Sequence, residues 1–168
     1  MSHYQDYKAR FESNRTALVV PEDCKPGVPE YHPFLDLIDP HSWDFSWWLR
    51  FADKHYIVCH EIWGYRSGRS PLRSYFSFHY GPIVRVDKNG NIERDPSNPL
   101  ELRICKSNKS CEPSHLHYKK PHPAPHYEQS RVDGLVLNEV DMFQFVKAVF
   151  RSRAEKIELD EAMGFTLR

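Results

Sequence analysis

The sequence predicts an α+β domain in which an antiparallel β-meander of about five strands packs against a C-terminal helix and follows a proline-rich N-terminal arm. Three observations predict this fold. Apolar and polar residues alternate through much of residues 44–105, the Asn89-Gly90 dipeptide marks a tight hairpin turn, and apolar residues recur every three or four positions near the C terminus. At 168 residues the chain fits one domain with its own hydrophobic core.

The N-terminal region, residues 1–43, is set apart by its composition. Residues 1–15 are expected to form a short helix with three aromatic side chains on one face. Five prolines between residues 21 and 40 are expected to exclude regular structure there, because proline cannot donate a backbone hydrogen bond. We therefore predict a helix and an arm over residues 1–43 and an α+β core domain over residues 44–168.

The strands follow from alternation and from residues that favour β-structure. Residues 44–51 and 56–63 are separated by a short connection and are predicted to form an antiparallel hairpin. Further strands are predicted at residues 73–80, 83–86, 91–94 and 100–105. The Asn-Gly dipeptide supplies the positive φ angles that a tight turn between residues 86 and 91 requires.

The C-terminal region is predicted to be helical. Asn138 is expected to cap a helix with an apolar stripe that covers one face of the sheet. The stripe consists of Met142, Phe143, Val146, Val149 and Phe150. A second short helix is expected over residues 154–163, ending at Gly164.

Charge, apolar segments and cysteine content indicate which ligands and which cellular location to expect. Lysine plus arginine equals aspartate plus glutamate, 23 each, so the total charge argues neither for nor against nucleic acid. The stretch from Arg103 to Arg131 is different, because it holds six basic residues against two acidic ones and so favours an anionic ligand. No segment has the length and apolarity of a signal peptide or membrane span, and the four cysteines form no CxxC pair. We expect reduced thiols, a cytoplasmic location and no membrane partner.

Residues 114–127 are the segment most suited to chemistry. This proline-stiffened stretch contains four of the ten histidines, two lysines and two tyrosines. Imidazole changes charge near neutral pH, so such a segment can transfer protons, bind a metal or bind an anion.

The principal hypothesis is RNA cleavage without a metal, which needs a base, an acid and a cation beside the phosphate. If the segment is extended, His115 and His117 lie on one face about 7 Å apart, which is enough to span a phosphate. Lys119 is expected to share their face and to act as the stabilising cation, while Lys120 lies opposite. Arg103, on the preceding strand, is a second candidate for this role.

Other residues of the segment are assigned supporting roles. His126 or His122 is the reserve member of the catalytic set. Substrate-binding roles are assigned to Tyr118, His122, His79 and Lys120, and either Tyr118 or Tyr127 can stack on a base. His79 lies on a predicted strand, on the face opposite Phe76 and Phe78.

Two alternatives stay open for the same segment. A zinc ion is the alternative cofactor, with His115 and His117 as ligands and His122, His126, Cys105 or Cys111 completing the set. The spacing C-x5-C-x3-H-x-H is not a standard zinc pattern, so we predict no metal ligand. The histidines can also be ordinary residues of a surface loop.

The order of elements resembles a family of small toxins from bacterial type II toxin-antitoxin modules. The matching parts are the strand from Tyr75 to Tyr80, Arg103, the loop from His115 to His126 and the helix from Val140 to Phe150, within roughly residues 44–153. The resemblance implies an endoribonuclease toxin that acts on RNA and is neutralised by a helix-turn-helix antitoxin. The alternative is a binding module that holds nucleic acid, a nucleotide or an acidic protein without turning it over.

Overall fold

The computed structural model describes residues 5, 6, 8, 9, 34–39, 42–51, 53, 55–64, 72–86, 92–94, 100–106, 113–120 and 127–168. Eight strands within these ranges form one antiparallel sheet in the order β1-β2-β3-β4-β6-β7-β8, with β5 paired to β4. They are β1 (Phe34–Asp39), β2 (Ser42–Arg50), β3 (His55–Gly64), β4 (Leu72–Val86), β5 (Ile92–Arg94), β6 (Leu100–Lys106), β7 (His115–Lys120) and β8 (Tyr127–Glu128). The predicted α+β meander with a C-terminal helix is confirmed.

A 3₁₀ turn, two helices and a small second sheet follow the meander. The turn covers Gln129–Arg131, and the helices are α1 (Met142–Glu155) and α2 (Leu159–Met163). Strands β9 (Val132–Asp133) and β10 (Thr166–Leu167) pair with each other and bring the C terminus back to the start of this region. None of the helices in the described ranges is long and apolar enough to cross a membrane.

Strand β1 departs from the sequence prediction. The prolines were expected to exclude regular structure from residues 21–40, and this is wrong for residues 34–39, which pair with β2. Pro33 and Pro40 flank the strand, and proline is tolerated at strand ends, where its missing N–H breaks no ladder bond. Residues 42 and 43, the last two of the predicted arm, belong to β2, and the other residues of the proline-rich stretch lie outside the described residues. Residues 5, 6, 8 and 9 are helical, as expected for the N-terminal helix.

The register of the strands gives the sheet two chemically different faces. Cross-strand partners share a face, so Cys59, Phe78, Ile104 and Leu116 form one continuous row across four strands. All four are fully buried, and we call their side the helix face. Alternation places polar side chains on the other side, which we call the distal face.

Helix α1 packs on the helix face through its apolar stripe. Phe145 lies 5.7 Å from Phe78, centroid to centroid, and the buried residues of the helix are Met142, Phe143, Phe145, Val146, Ala148 and Val149. The expectation that Asn138 caps this helix is wrong. The N-cap is Asp141, whose carboxylate accepts a hydrogen bond of 2.8 Å from the Gln144 N–H.

A buried ion pair connects β3 and β4 to the segment that precedes α1. The Arg73 Nη1 donates to the Glu61 Oε1 at 2.8 Å, and Trp63 Nε1 donates to the second carboxylate oxygen at 2.9 Å. The other terminal nitrogen of Arg73 donates to the Asn138 carbonyl at 2.7 Å. Asn138 therefore anchors the helical region to the sheet instead of capping the helix.

The two helices are separated by a turn that the sequence did not predict. Lys156 has a left-handed backbone conformation (φ 55°) and ends α1, so α2 begins only at Leu159 and not near residue 154. Helix α2 ends at Gly164 (φ 78°), as predicted. Gly134 (φ 83°) passes so close to this end that a Cβ there would lie 2.4 Å from the Gly164 carbonyl oxygen.

Candidate functional site

The distal face of β4, β6 and β7 gathers the residues of greatest chemical interest. Arg103 pairs with His79 on one side and with His117 on the other, and Cys105 pairs with His115 in the neighbouring row. Cβ atoms of direct cross-strand partners are about 4.5–5.5 Å apart. We call the five residues His79, Arg103, Cys105, His115 and His117 the histidine patch.

His115 and His117 lie on one face of β7, as the extended conformation predicted. Their ring centroids are 5.2 Å apart and the ring planes meet at 75°. His117 is 4% exposed, whereas His115 is partly exposed. His115 is therefore the more accessible of the two imidazoles.

Cys105 approaches these histidines from the adjacent strand. Its Sγ lies 3.1 Å from the His115 Nε2, and the Sγ and one ring nitrogen of each histidine all lie within 4.8 Å of one another. The Cys105 side chain is 4% exposed. A thiol and two imidazoles at this spacing can share protons or hold a metal ion.

Arg103 supplies the positive charge of the patch. It is half-buried, and its Nε is buried with no hydrogen-bond partner among the described residues. Its cross-strand partner His79 is 1% exposed. The sequence placed His79 on the face opposite Phe76 and Phe78, and the structure puts it on that face, within the patch. Arg103 stands between two histidines in the strand register, and a guanidinium suits an anion with several oxygen atoms, such as a phosphate.

Lys119 does not lie beside the histidines, and the expectation that it shares their face is wrong. Its backbone has φ 48°, which interrupts the alternation of β7. The ammonium forms an ion pair with Glu158, the residue that precedes α2, and lies 5.2 Å from the centre of the Tyr118 ring. The hydrogen bond to Glu158 raises the pKa of Lys119.

Tyr118 points to the helix face, away from the histidine patch. It is 9% exposed, and its hydroxyl donates a hydrogen bond of 3.0 Å to an Asp160 carboxylate oxygen. Burial, followed by the hydrogen bond to Asp160, raises the pKa of Tyr118. Tyr118 and His115 therefore lie on opposite sides of the sheet, and the substrate-binding role assigned to Tyr118 stays a prediction.

The remaining candidate residues lie wholly or partly outside the described part of the chain. Lys120 continues the backbone of β7 and pairs with Leu100. His122, His126 and Cys111 lie outside the described residues. Their assignments stay predictions.

A second polar pair on the distal face was not singled out from the sequence. The His60 Nε2 lies 2.8 Å from the Asp44 Oδ1, and the Tyr75 ring lies 5.1 Å from the imidazole. His60 and Cys105 are both cross-strand partners of Ser77, so His60 lies in the same row as Cys105, two strands away. The signal was present, because Asp44 and His60 occupy polar positions of two strands predicted to form a hairpin.

Comparison with known proteins gives no relative for this arrangement. No family model, no curated protein and no solved structure matches the chain.

Proposed function

We propose that the chain is a metal-independent endoribonuclease that cleaves RNA at the histidine patch and acts as the toxin of a toxin-antitoxin pair. The observation that supports the cleavage is the pair of neighbouring imidazoles, His115 and His117, on the strand where Arg103 is the cross-strand partner of His117. These are the acid, the base and the cation that cleavage through the 2′-hydroxyl requires.

The proposed reaction needs only these three side chains. One neutral imidazole takes the proton of the ribose 2′-hydroxyl, and the 2′-oxygen forms a bond to phosphorus. The bond from phosphorus to the 5′-oxygen breaks, and the other imidazole, in its protonated form, donates a proton to that oxygen. The products are a 2′,3′-cyclic phosphate and a free 5′-hydroxyl. Either histidine can take either role in this geometry.

Arg103 is assigned the role of stabilising the negative charge that builds up on the phosphate oxygens during cleavage. A guanidinium presents several N–H donors and is weakly hydrated, so it suits a phosphate better than an ammonium does. Removal of one such donor in other enzymes lowers kcat by about 10²- to 10³-fold. Because Lys119 is engaged by Glu158, Arg103 is the cation that we assign to catalysis.

The test is cleavage of a fluorescently labelled RNA by the purified chain in excess chelator, with product analysis for the cyclic phosphate. His115→Ala and His117→Ala are each expected to lower the rate by about 10²- to 10⁴-fold, the usual contribution of a general acid or base. Arg103→Ala is expected to lower it by about 10²-fold or more. His55→Ala is the matched control, because it removes a histidine that stacks on Tyr80 outside the patch.

Three other outcomes would contradict this function. Cleavage that the chelator abolishes would indicate a metal enzyme. Retention of labelled RNA without cleavage would indicate the alternative, a binding module. Equal activity of His117→Ala and the wild type, with circular dichroism unchanged, would remove the patch from the reaction.

The toxin role and its antitoxin partner rest on the resemblance in the order of elements. Expression in bacteria is expected to arrest growth for the wild-type chain and not for His117→Ala. Equal growth of the two strains at equal protein levels would contradict the toxin role.

A further inference from the structure

We propose that Cys105, His115 and His117 form a reversible binding site for a zinc-like transition metal ion, and that the bound ion blocks the acid and base of the histidine patch. The metal site itself stands on the donor geometry and is independent of the proposed nuclease activity. Only the blocking effect rests on the proposed function.

The three donors select the kind of ion. A thiolate and two imidazoles are soft to borderline ligands, which favour Zn²⁺ and its substitute Co²⁺ over Mg²⁺ or Ca²⁺. Hard ions need several oxygen ligands, and within the described part of the chain this group contains no carboxylate. The donor set therefore predicts a transition metal.

The donor atoms are close to the spacing that such an ion requires. With metal–sulfur and metal–nitrogen bonds of about 2.3 and 2.0–2.1 Å, tetrahedral angles put donors about 3.3–3.6 Å apart. The Cys105 Sγ and the His115 Nε2 are 3.1 Å apart, and all three donors lie within 4.8 Å of one another. Small rotations of the side chains bring them to the tetrahedral spacing.

The sheet holds the ligands in place. Cys105 and His115 are direct cross-strand partners, and His117 follows two residues later on the same face. Both strands are bordered by neighbours in the described sheet, with β4 on one side and β8 on the other. The backbone positions of the ligands are therefore set by the fold before an ion arrives.

The hydrogen bonding of His115 also prepares a metal ligand. Its Nδ1 lies 3.4 Å from the Pro113 carbonyl oxygen, which can only accept a hydrogen bond. In the tautomer that makes this hydrogen bond the proton is on Nδ1, and the lone pair of Nε2 faces the Cys105 Sγ. Metal-binding histidines characteristically donate their second nitrogen to a carbonyl or carboxylate in this way. When the ion binds, the Cys105 thiol releases its proton and the sulfur bonds to the metal.

Three protein ligands make an open site, with the fourth position left to water or an anion. The charge of the neighbouring Arg103 opposes a dication, while the Cys105 thiolate offsets one unit of its charge. We therefore assign exchangeable binding and not a permanent structural metal. The ion occupies ring nitrogens that the proposed reaction uses for proton transfer, and so it inhibits cleavage.

The test is titration of the reduced, chelator-treated chain with Co²⁺, followed by absorption spectroscopy. The wild type is expected to bind one equivalent with a thiolate-to-cobalt charge-transfer band in the near ultraviolet and the visible bands of tetrahedral Co²⁺. Added Zn²⁺ is expected to displace the cobalt and abolish both. Cys105→Ser is expected to lose the charge-transfer band, and His117→Ala to weaken Co²⁺ binding at least tenfold.

Cys59→Ala is the matched control, because it removes a buried thiol on the helix face and is expected to keep the spectrum. Thermal unfolding gives a second readout, in which Zn²⁺ raises the Tm of the wild type and not that of Cys105→Ser. A wild type without the charge-transfer band, or a folded Cys105→Ser that retains it, would overturn the site.

Inhibition is measured separately, as RNA cleavage by the zinc-loaded chain. Undiminished cleavage at full zinc occupancy would overturn the blocking effect. A chain that binds Co²⁺ as described but never cleaves RNA would overturn the nuclease and leave the metal site standing. The two failures are therefore distinguishable.

Discussion

Replacing Arg73 by methionine is expected to lower the free energy of unfolding by about 3–5 kcal/mol, the usual cost of leaving one member of a buried ion pair alone. Arg73 is 8% exposed and its partner Glu61 is 2% exposed, so water cannot solvate the Glu61 carboxylate once the guanidinium is removed. Methionine keeps an apolar side chain of similar length, and it loses the guanidinium, whose carbon lies 4.0 Å from the centre of the Phe76 ring. The loss is therefore mainly electrostatic.

The magnitude follows from the hydrogen bonds that disappear. Glu61 loses a 2.8 Å bond and the Asn138 carbonyl loses a 2.7 Å bond, both to a charged donor. Hydrogen bonds to charged groups contribute about 1.5–3 kcal/mol each, which agrees with the range given above. The double variant Glu61→Gln with Arg73→Met is expected to be more stable than Arg73→Met by about 1 kcal/mol or more, because no uncompensated charge stays buried.

Urea unfolding at neutral pH, followed by tryptophan fluorescence and circular dichroism, measures both differences. Arg151→Met is the control, because it breaks an exposed pair with Glu155 and is expected to cost less than about 0.5 kcal/mol. An Arg73→Met variant within 1 kcal/mol of the wild type by the same measurement, or a double variant less stable than the single one, would refute the reasoning.

Two further predictions concern the C-terminal region. Gly134→Ala is expected to lower the free energy of unfolding by about 2 kcal/mol or more in thermal unfolding, because the new Cβ would clash with the Gly164 carbonyl oxygen. Gly164→Ala is the control, since there is open space around that position, and it should cost only about 1 kcal/mol. An equal effect of the two substitutions would contradict the clash. Tyr118→Phe is expected to cost about 1 kcal/mol at pH 7 through the lost bond to Asp160. Because the folded pKa of Tyr118 is raised, its contribution is fully present below its ordinary value near 10 and is lost as the pH rises through the folded pKa, so the two proteins should converge in alkaline urea titrations.

Local patterns predicted most of the elements. Alternation in residues 44–51 and 56–63 identified β2 and β3, and the stripe from Met142 onward identified α1. The predictions failed where contacts between residues far apart in the chain decide the local structure. Asn138 has the right chemistry for a cap, but its carbonyl is bound to Arg73, 65 residues away, and the helix begins after Asp141.

The candidate site was predicted only in part, because local alternation decides the position of some of its residues and long-range contacts decide the position of others. His115 and His117 were expected on one face, because side chains two residues apart on a strand share a side whatever the strand packs against. Lys119 was expected to follow them, but its ion pair with Glu158 accompanies a left-handed backbone that turns it to the other side. Alternation contains no information about such a partner.

The sequence by itself determined that this is a meander of strands with a C-terminal helix and that two histidines share a face, since both properties depend on residues close together in the chain. Only the tertiary structure decided which side chains surround those histidines. The pairing of β4, β6 and β7 places His79, Arg103 and Cys105 beside them, and that register depends on contacts along the whole sheet. A shift of one residue would carry every one of these side chains to the opposite face, so the chemistry of the patch is a property of the assembled sheet.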